Sequence, residues 1–287
     1  HGCSDCSSSG MRGEVFTLSG EKLTYDCAKD RWDGVPVTLR VSSEPFGEGG
    51  MRLAYRAREV QPNGSEFDVV VKRFRSDLED EGYTSDDLFQ EAMTQMVAEN
   101  YAQDFNKACA SRGLQHTIAF LPASVVKVDD SRGNMEALSL EPYLEGEYVK
   151  HTDNQGHNET EDEVVAAFCY FTYIASGKLS VVCDIQGVGT FYTDPQIHTF
   201  DGEGFGAGNL GSRGIERFLQ NHRHNLVCEQ LGLPSPDEGL SDEELARKMQ
   251  AAEEREAREE AGLSTSSWMR EQHDAGVDEL ARMLARQ

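Results

Sequence analysis

The chain has 287 residues, enough for one large two-lobed domain or two small ones, and its 38% of apolar residues suffices for a real core. Lysine plus arginine number 27 against 51 aspartate plus glutamate, a formal charge of 27 − 51 = −24. That balance argues against nucleic acid or an anionic membrane as the main partner, but leaves room for a nucleotide held by a local lysine and a metal.

Residues 1–20 are small and polar and predict a flexible N-terminal segment. The start His1-Gly2-Cys3, without an initiator Met or a visible signal peptide, reads as a fragment or a processed end. Seven cysteines (Cys3, Cys6, Cys27, Cys109, Cys169, Cys183, Cys228) are odd in number and irregularly spaced, which fits reduced thiols and a cytoplasmic, intracellular setting. Cys3 and Cys6 form a CxxC with no second pair, so a loose end is favoured over a metal knuckle.

Residues 35–74 have strand character: 35–41 alternate, 51–57 follow a turn, and 67–74 contain Val69-Val70-Val71. Gly and Pro loops at 45–50 and 61–64 separate them, predicting an antiparallel meander. Phe89, Met93, Met96, Val97, Tyr101 and Phe105 carry helical spacing over 87–109. Strand character returns at 118–128 and 137–144. A second helix is predicted over 161–175, with Val164, Val165, Phe168 and Phe171 inward, then a strand over 179–184. A third helix is predicted over 214–231, with Ile215, Phe218, Leu219, Leu226 and Val227 inward. After Pro234 the composition shifts to Glu, Arg and Ala. Glu243/Arg247, Glu244/Lys248 and Glu254/Arg258 are i,i+4 pairs, and Val277, Leu280, Ala281 and Leu284 form a short docking stripe. No stretch approaches the roughly eighteen apolar residues of a membrane-spanning helix. The organisation expected is a flexible segment at 1–20, a catalytic domain at 21–234 and a charged helical tail at 235–287.

The chemistry concentrates between positions 181 and 198. An apolar run ends in Asp184, an amide follows at Gln186, Gly187 and Gly189 bend the backbone, and Asp194 precedes Pro195. A carboxylate and an amide delivered by a buried strand into a glycine-bent loop can hold a hard cation against phosphate oxygens. Lys72, ending the apolar strand 69–74, can reach phosphates or can be a strand-edge lysine in water. Gly47, Gly49 and Gly50 offer backbone N–H groups to phosphate, or form only a hairpin turn. Glu141-Pro142-Tyr143-Leu144-Glu145-Gly146 can connect two lobes and present backbone groups to an adenine edge. The GxGxxG at 206–211 (Gly206, Gly208, Asn209, Gly211) lacks the strand–helix context of a dinucleotide site, so a flexible loop shaping a peptide or phosphate site is expected. His222, His224 and Cys228 are three zinc-type ligands, with His224 and Cys228 one helical turn apart, but three do not close a tetrahedral site, so on spacing alone surface histidines and a core cysteine are expected.

Lys72 in its strand, Glu141 to Gly146, Phe171-Thr172-Tyr173, Asp184-Ile185-Gln186-Gly187-Val188-Gly189, Thr193-Asp194-Pro195-Gln196-Ile197-His198 and Gly208-Asn209-Leu210-Gly211 together resemble the α-kinases. This family includes myosin-heavy-chain kinases, elongation factor kinases and channel-fused kinase domains. The resemblance covers roughly 35–233 in one consistent order. It implies an α+β, two-lobed protein-kinase-like fold and ATP-dependent phosphorylation of Ser or Thr on a protein substrate. By position, Lys72 holds the ATP phosphates, Glu141 and Leu144 form the adenine hinge, and Asp184 is the catalytic acid near the substrate hydroxyl. Gln186 and Asp194 join the Mg2+ and phosphate network, and the 206–211 loop positions the peptide. The alternative is a non-catalytic domain that keeps the fold as a nucleotide sensor or scaffold.

The resemblance also implies a structural Zn2+ on two His and two Cys. The second His falls on His222 and the last Cys on Cys228. His224 stands at the first Cys position, and Tyr170 where the first His belongs. Cys169, next to Tyr170, is the expected fourth ligand. The rival is a zinc-free site with Tyr170 packed into the gap.

Overall fold

The computed structural model describes residues 13–49, 51–75, 84–129 and 135–236, and scattered positions between 246 and 282. Gly50, Cys3, Cys6, Leu284 and at least one member of each tail ion pair lie outside the described residues. In chain order the elements are β1 (Val15–Asp26), β2 (Arg31–Glu48), β3 (Arg52–Val60), β4 (Glu66–Phe74), α1 (Ser85–Ser111), β5 (Ala119–Phe120), β6 (Ser124–Asp129) and β7 (Met135–Pro142). Then come β8 (Val149–Lys150), α2 (Glu163–Ala175), β9 (Ser180–Cys183), β10 (Gln186–Val188), β11 (Phe191–Thr193), β12 (Gln196–Thr199), α3 (Ser212–Asn221) and α4 (Leu226–Leu231). The chain divides into two compact units: His1–Thr24 with Trp32–Ala92 and Pro122–Leu144, and Tyr25–Arg31 with Met93–Leu121 and Glu145–Gln287.

The first unit is a closed barrel in the order β1-β2-β3-β4-β7-β6. Alternation drives it. Val37, Leu39 and Val41 on β2, Val69 and Val71 on β4, Val126 and Val128 on β6, and Leu138 and Leu140 on β7 fill the interior with Ala57. A period of two sends the residues between them, Val70, Lys72 and Glu141 included, to the other face. Two expectations change here. Residues 15–20 are no loose end: β1 pairs with β6, Gly20 opposite Val128, and a Cβ at position 20 would lie 2.1 Å from the Lys127 carbonyl oxygen. Long-range pairing overrides the polar composition. Pro45 to Glu48, read as loop, continue β2 across register shifts between Val41 and Pro45 and between Pro45 and Gly47. The turn that remains closes through Gly49 N–H donating to the Arg52 carbonyl at 2.8 Å.

The second unit is built around α2, whose residues Val165 to Ala175 are all buried. A helix apolar all round belongs at the centre of a core. Asp162 caps it, accepting from the N–H groups of Val164 and Val165. Phe105 of α1 meets Phe168 and Phe171 edge-on, at 5.6 and 5.5 Å between ring centres. Helix α1 is where the periodicity predicts it, with Tyr101 and Phe105 buried as expected, but the rest of its buried face is Leu88, Ala92, Thr94, Gln95, Ala98, Ala102 and Cys109. The small side chains face inward and Phe89, Met93, Met96 and Val97 flank them, because alanines let the helix approach closely.

The third predicted helix is two helices. His222 leaves α3 in an extended conformation, and Asn225 starts α4 by accepting from the Cys228 N–H at 3.0 Å. An Asn N-cap outcompetes helix continuation. Two small sheets, β5-β11-β10-β8 and β12-β9, carry the signature strings. In the tail, Leu280 is buried in the α2 core with Val277 packed against it, and Ala251 is buried beside Leu179. No helix among the described residues is long and apolar enough to cross a membrane.

Candidate active site

In the first unit, β4 pairs with β7 so that Val70 faces Glu141 and Lys72 faces Ser139. This register brings the Lys72 ammonium onto the Glu141 carboxylate. The two side chains are 12% and 7% exposed, so the pair is nearly buried. The sequence places Lys72 at phosphates and Glu141 at the adenine hinge as separate features; the structure joins them. Leu144 follows β7, and the Tyr143 N–H donates to the Asp68 carbonyl at 3.1 Å, tying this segment to the start of β4. Gly47 lies within β2 opposite Ala54, and Gly49 at the turn.

In the second unit, β9 ends at Cys183 and delivers Asp184 in left-handed backbone, φ 57°. Asp194 is also left-handed, φ 51°. Such conformations are costly for residues with a Cβ, and they gather where geometry is imposed for function. The β10–β8 ladder sets Gln186 opposite Lys150, which puts the Lys150 ammonium 2.7 Å from Asp184 Oδ1. Burial pushes the Asp184 carboxyl up; Lys150 opposes this, and the charges of Asp194 and Asp153 add to it. The charge of Asp194 acts on the Asp184 carboxyl, and the Gln186 amide donates to the backbone carbonyls of Asp184 and Asp194, both at 3.4 Å, so the three residues are tied together. The hairpin between β10 and β11 admits only glycine at 187, where a Cβ would sit 2.0 Å from the Phe191 carbonyl oxygen.

Three residues that sequence reasoning passed over hold this set. Gln95, buried on α1, accepts from the Asp194 N–H at 2.8 Å while its own amide donates to the Leu121 carbonyl at 2.8 Å. Thr152 accepts from the Ile185 N–H at 2.8 Å. Lys150 is the third. A buried glutamine in a helix stripe is the one signal that pointed this way, because a polar group there needs a partner.

The 206–211 loop, expected to be flexible, is pinned to β12. Asn209 Oδ1 accepts from the N–H groups of Thr199 and Gly211, both at 3.0 Å, and its amide donates to Thr199 Oγ1 at 2.8 Å and to the carbonyls of Glu203 and Gly204. Gln196 donates to the Phe205 carbonyl, and Gly208 packs against the Gln196 amide, where a Cβ would lie 1.9 Å from Oε1. Gly206 and Gly211 take left-handed backbone.

His222, His224 and Cys228 do converge, with their ligand atoms all within 4.8 Å of one another. They meet although His224 sits in the break between α3 and α4 rather than on a helix. His222 Nε2 lies 3.8 Å from Cys228 Sγ, and His224 Nδ1 is buried with no hydrogen-bond partner. Burial and the neighbouring His224 push the His222 imidazole down to about 4, and burial pushes the Cys228 thiol up to about 11. Three donors thus fit a zinc ion. Cys169 does not join them. Adjacent residues on a helix diverge by about 100°, so it is the Tyr170 ring that stacks on His222, at 4.3 Å, with its hydroxyl donating to the Pro234 carbonyl. The Cys169 thiol stays apart, in contact with Thr152 and pushed up to about 12 by burial.

These are the parts of a protein-kinase-like domain. The model of the alpha-kinase family matches residues 47–228, and the chain belongs to that family. It is 36% identical over 212 residues to alpha-protein kinase 1 of Dictyostelium discoideum, covering 74% of this chain and 15% of that protein. It is 31% identical over 228 residues to eukaryotic elongation factor 2 kinase of Homo sapiens, covering 77% of this chain and 30% of that protein. The chain thus spans less than a third of the length of these relatives. The crystal structure of the alpha-kinase domain of myosin-II heavy chain kinase A in complex with AMP-PNP superposes with a TM-score of 0.70 at 30% identity, covering 79% of this chain and 97% of that one.

Proposed function

We propose that this chain transfers the γ-phosphoryl of ATP to a Ser or Thr hydroxyl of a protein. The observation that carries this reading is Asp184: a carboxylate held in strained backbone at the end of a buried strand, pushed up by burial and contacted by Lys150. A base nearer the working pH accepts a proton more effectively. The substrate hydroxyl oxygen attacks the γ-phosphorus, the bond to the β-phosphate oxygen breaks, ADP leaves, and the hydroxyl proton passes to Asp184. Lys72, positioned by Glu141, takes ATP phosphate oxygens. The segment at Glu141 and Leu144 takes the adenine edge, and the end of β2 at Gly47 with the turn at Gly49 offers backbone N–H groups to the phosphates. Gln186 and Asp194 would hold Mg2+, which would supply neutralisation of phosphate charge. The 206–211 loop positions the peptide.

His222, His224 and Cys228 would hold a structural Zn2+. The buried His224 nitrogen without a partner supports this reading. The net charge of −24 supports a protein partner over nucleic acid or membrane, and the free thiols of Cys109, Cys169, Cys183 and Cys228 support an intracellular setting. Lys72, Asp184, Gln186 and Asp194 are all present, so no observation favours a non-catalytic scaffold. The test is incubation with γ-labelled ATP and Mg2+ on an arrayed peptide library, followed by phosphoamino-acid analysis. Label on Ser or Thr is expected; its absence from every peptide overturns the reading.

A further inference from the structure

His198 is fully buried, although its pattern position on β12 gives no reason for an imidazole there. It pairs with Val181 of β9, the strand that ends next to Asp184. Its Nδ1 lies 3.1 Å from the backbone nitrogen of Leu210, and its Nε2 lies 2.8 Å from the Asn154 carbonyl oxygen and 3.3 Å from Cys183 Sγ. A backbone N–H can only donate, so Nδ1 is the bare nitrogen and Nε2 carries the proton, which it donates to the Asn154 carbonyl. Burial lowers the basicity of this imidazole, with the Asn154 carbonyl opposing, in keeping with one neutral tautomer. The ring is seated from the other side by α3. A Cβ on Gly214 would come within 2.5 Å of Cγ and Cδ2, so position 214 admits glycine alone. The Asn154 side chain donates in turn to the Gly208 carbonyl at 3.1 Å. The loop is therefore gripped at two points, Gly208 and Leu210, and both grips lead through one ring to Cys183, the residue before Asp184.

We propose that His198 is a positioning residue for the protein substrate: its Nδ1 fixes the 206–211 loop at Leu210 relative to Asp184, and so sets where the acceptor hydroxyl is presented. This rests on the kinase reading above. Two shortened isosteres separate the two nitrogens. His198→Asn keeps an acceptor near the place of Nδ1, and His198→Gln keeps a donor near the place of Nε2. A histidine that serves stability alone is hurt by both changes alike, whereas a positioning Nδ1 is hurt by Gln and rescued by Asn. For the best peptide from the array, His198→Gln is expected to raise the peptide KM about tenfold, as for a lost positioning hydrogen bond, with the ATP KM and kcat within about twofold of wild type. His198→Asn is expected to return the peptide KM to within about threefold. Equal peptide KM values in the two variants, or an ATP KM that moves with the peptide KM, overturn the proposal. Ring 15N shifts of the wild-type chain decide it where a variant does not fold: an unprotonated Nδ1 with a slowly exchanging Leu210 amide supports it, and a proton on Nδ1 overturns it. A wild type that labels no peptide refutes the kinase reading instead, and leaves the ring measurement to judge His198.

Discussion

Each unit carries a lysine–carboxylate pair, and the two pairs are built in opposite ways. Lys72 and Glu141 sit on neighbouring strands of a regular barrel, nearly buried, in ordinary backbone. Lys150 and Asp184 lie at 2.7 Å with exposures of 46% and 21%, and the carboxylate hangs from a left-handed residue. A buried pair is costly to break, because removing one partner strands a charge. A half-exposed pair contributes little to stability but still tunes its members. Under the proposed function the contrast is a division of labour, with the first pair a rigid handle for nucleotide phosphates and the second an adjustable proton acceptor.

The largest effect that can break this comparison falls on the handle. Lys72→Ala is expected to cost about 3 kcal/mol by removing the cation paired with a nearly buried carboxylate, read as a lowered urea midpoint. Lys72→Met with Glu141→Leu is expected to regain most of that stability while ATP use stays lost. A double variant that recovers ATP affinity removes Lys72 from the phosphate site.

A smaller effect is expected at Gln95. Replacing it with Leu strips the Asp194 N–H of its buried acceptor, so turnover is expected to fall about tenfold, with the fold retained. Unchanged turnover in a folded Gln95→Leu means that Asp194 holds its left-handed backbone without help.

The adjustable pair is sharpened by Lys150→Ala. Stability is expected to change by less than about 1 kcal/mol. Lys150 holds the Asp184 carboxyl down against burial. Its removal leaves that carboxyl higher, so the acid limb of the activity profile is expected to move to higher pH. A shift to lower pH contradicts the assignment of Asp184 as the group that must be ionised.

Much of this was legible in the sequence, for reasons the two pairs illustrate. The barrel interior and the strand leading to Asp184 announce themselves through alternation and apolar runs, which are burial written into composition. Lys72, Asp184, Gln186 and Asp194 stand in strings specific enough to carry a family. What escaped were groups that act on backbone. Gln95, Thr152 and Lys150 reach peptide groups or a cross-strand neighbour, and no spacing rule marks such contacts. The break at 222–225 escaped because the apolar spacing runs on through it, while Asn225 satisfies the backbone differently. Cys169 was misassigned by adjacency alone: one position along a helix turns a ligand away from its site.

The smallest effect concerns acid stability. His198 is buried neutral, so an unfolded chain binds a proton there below about 6.5 that the folded chain resists. Its contribution is complete above that pH and is lost as pH falls below it. His198→Gln is expected to flatten the decline of the unfolding midpoint below pH 6.5 relative to wild type. An identical slope in both proteins shows that His198 does not contribute to acid sensitivity.

The central claim is that Asp184 takes part in the chemistry while the barrel unit handles the nucleotide. Turnover and ATP affinity measured side by side for wild type and Asp184→Ala test it most directly. Turnover is expected to fall about a hundredfold or more in Asp184→Ala, with nucleotide affinity and cooperative unfolding close to wild type. Near-wild-type turnover in the folded variant contradicts it.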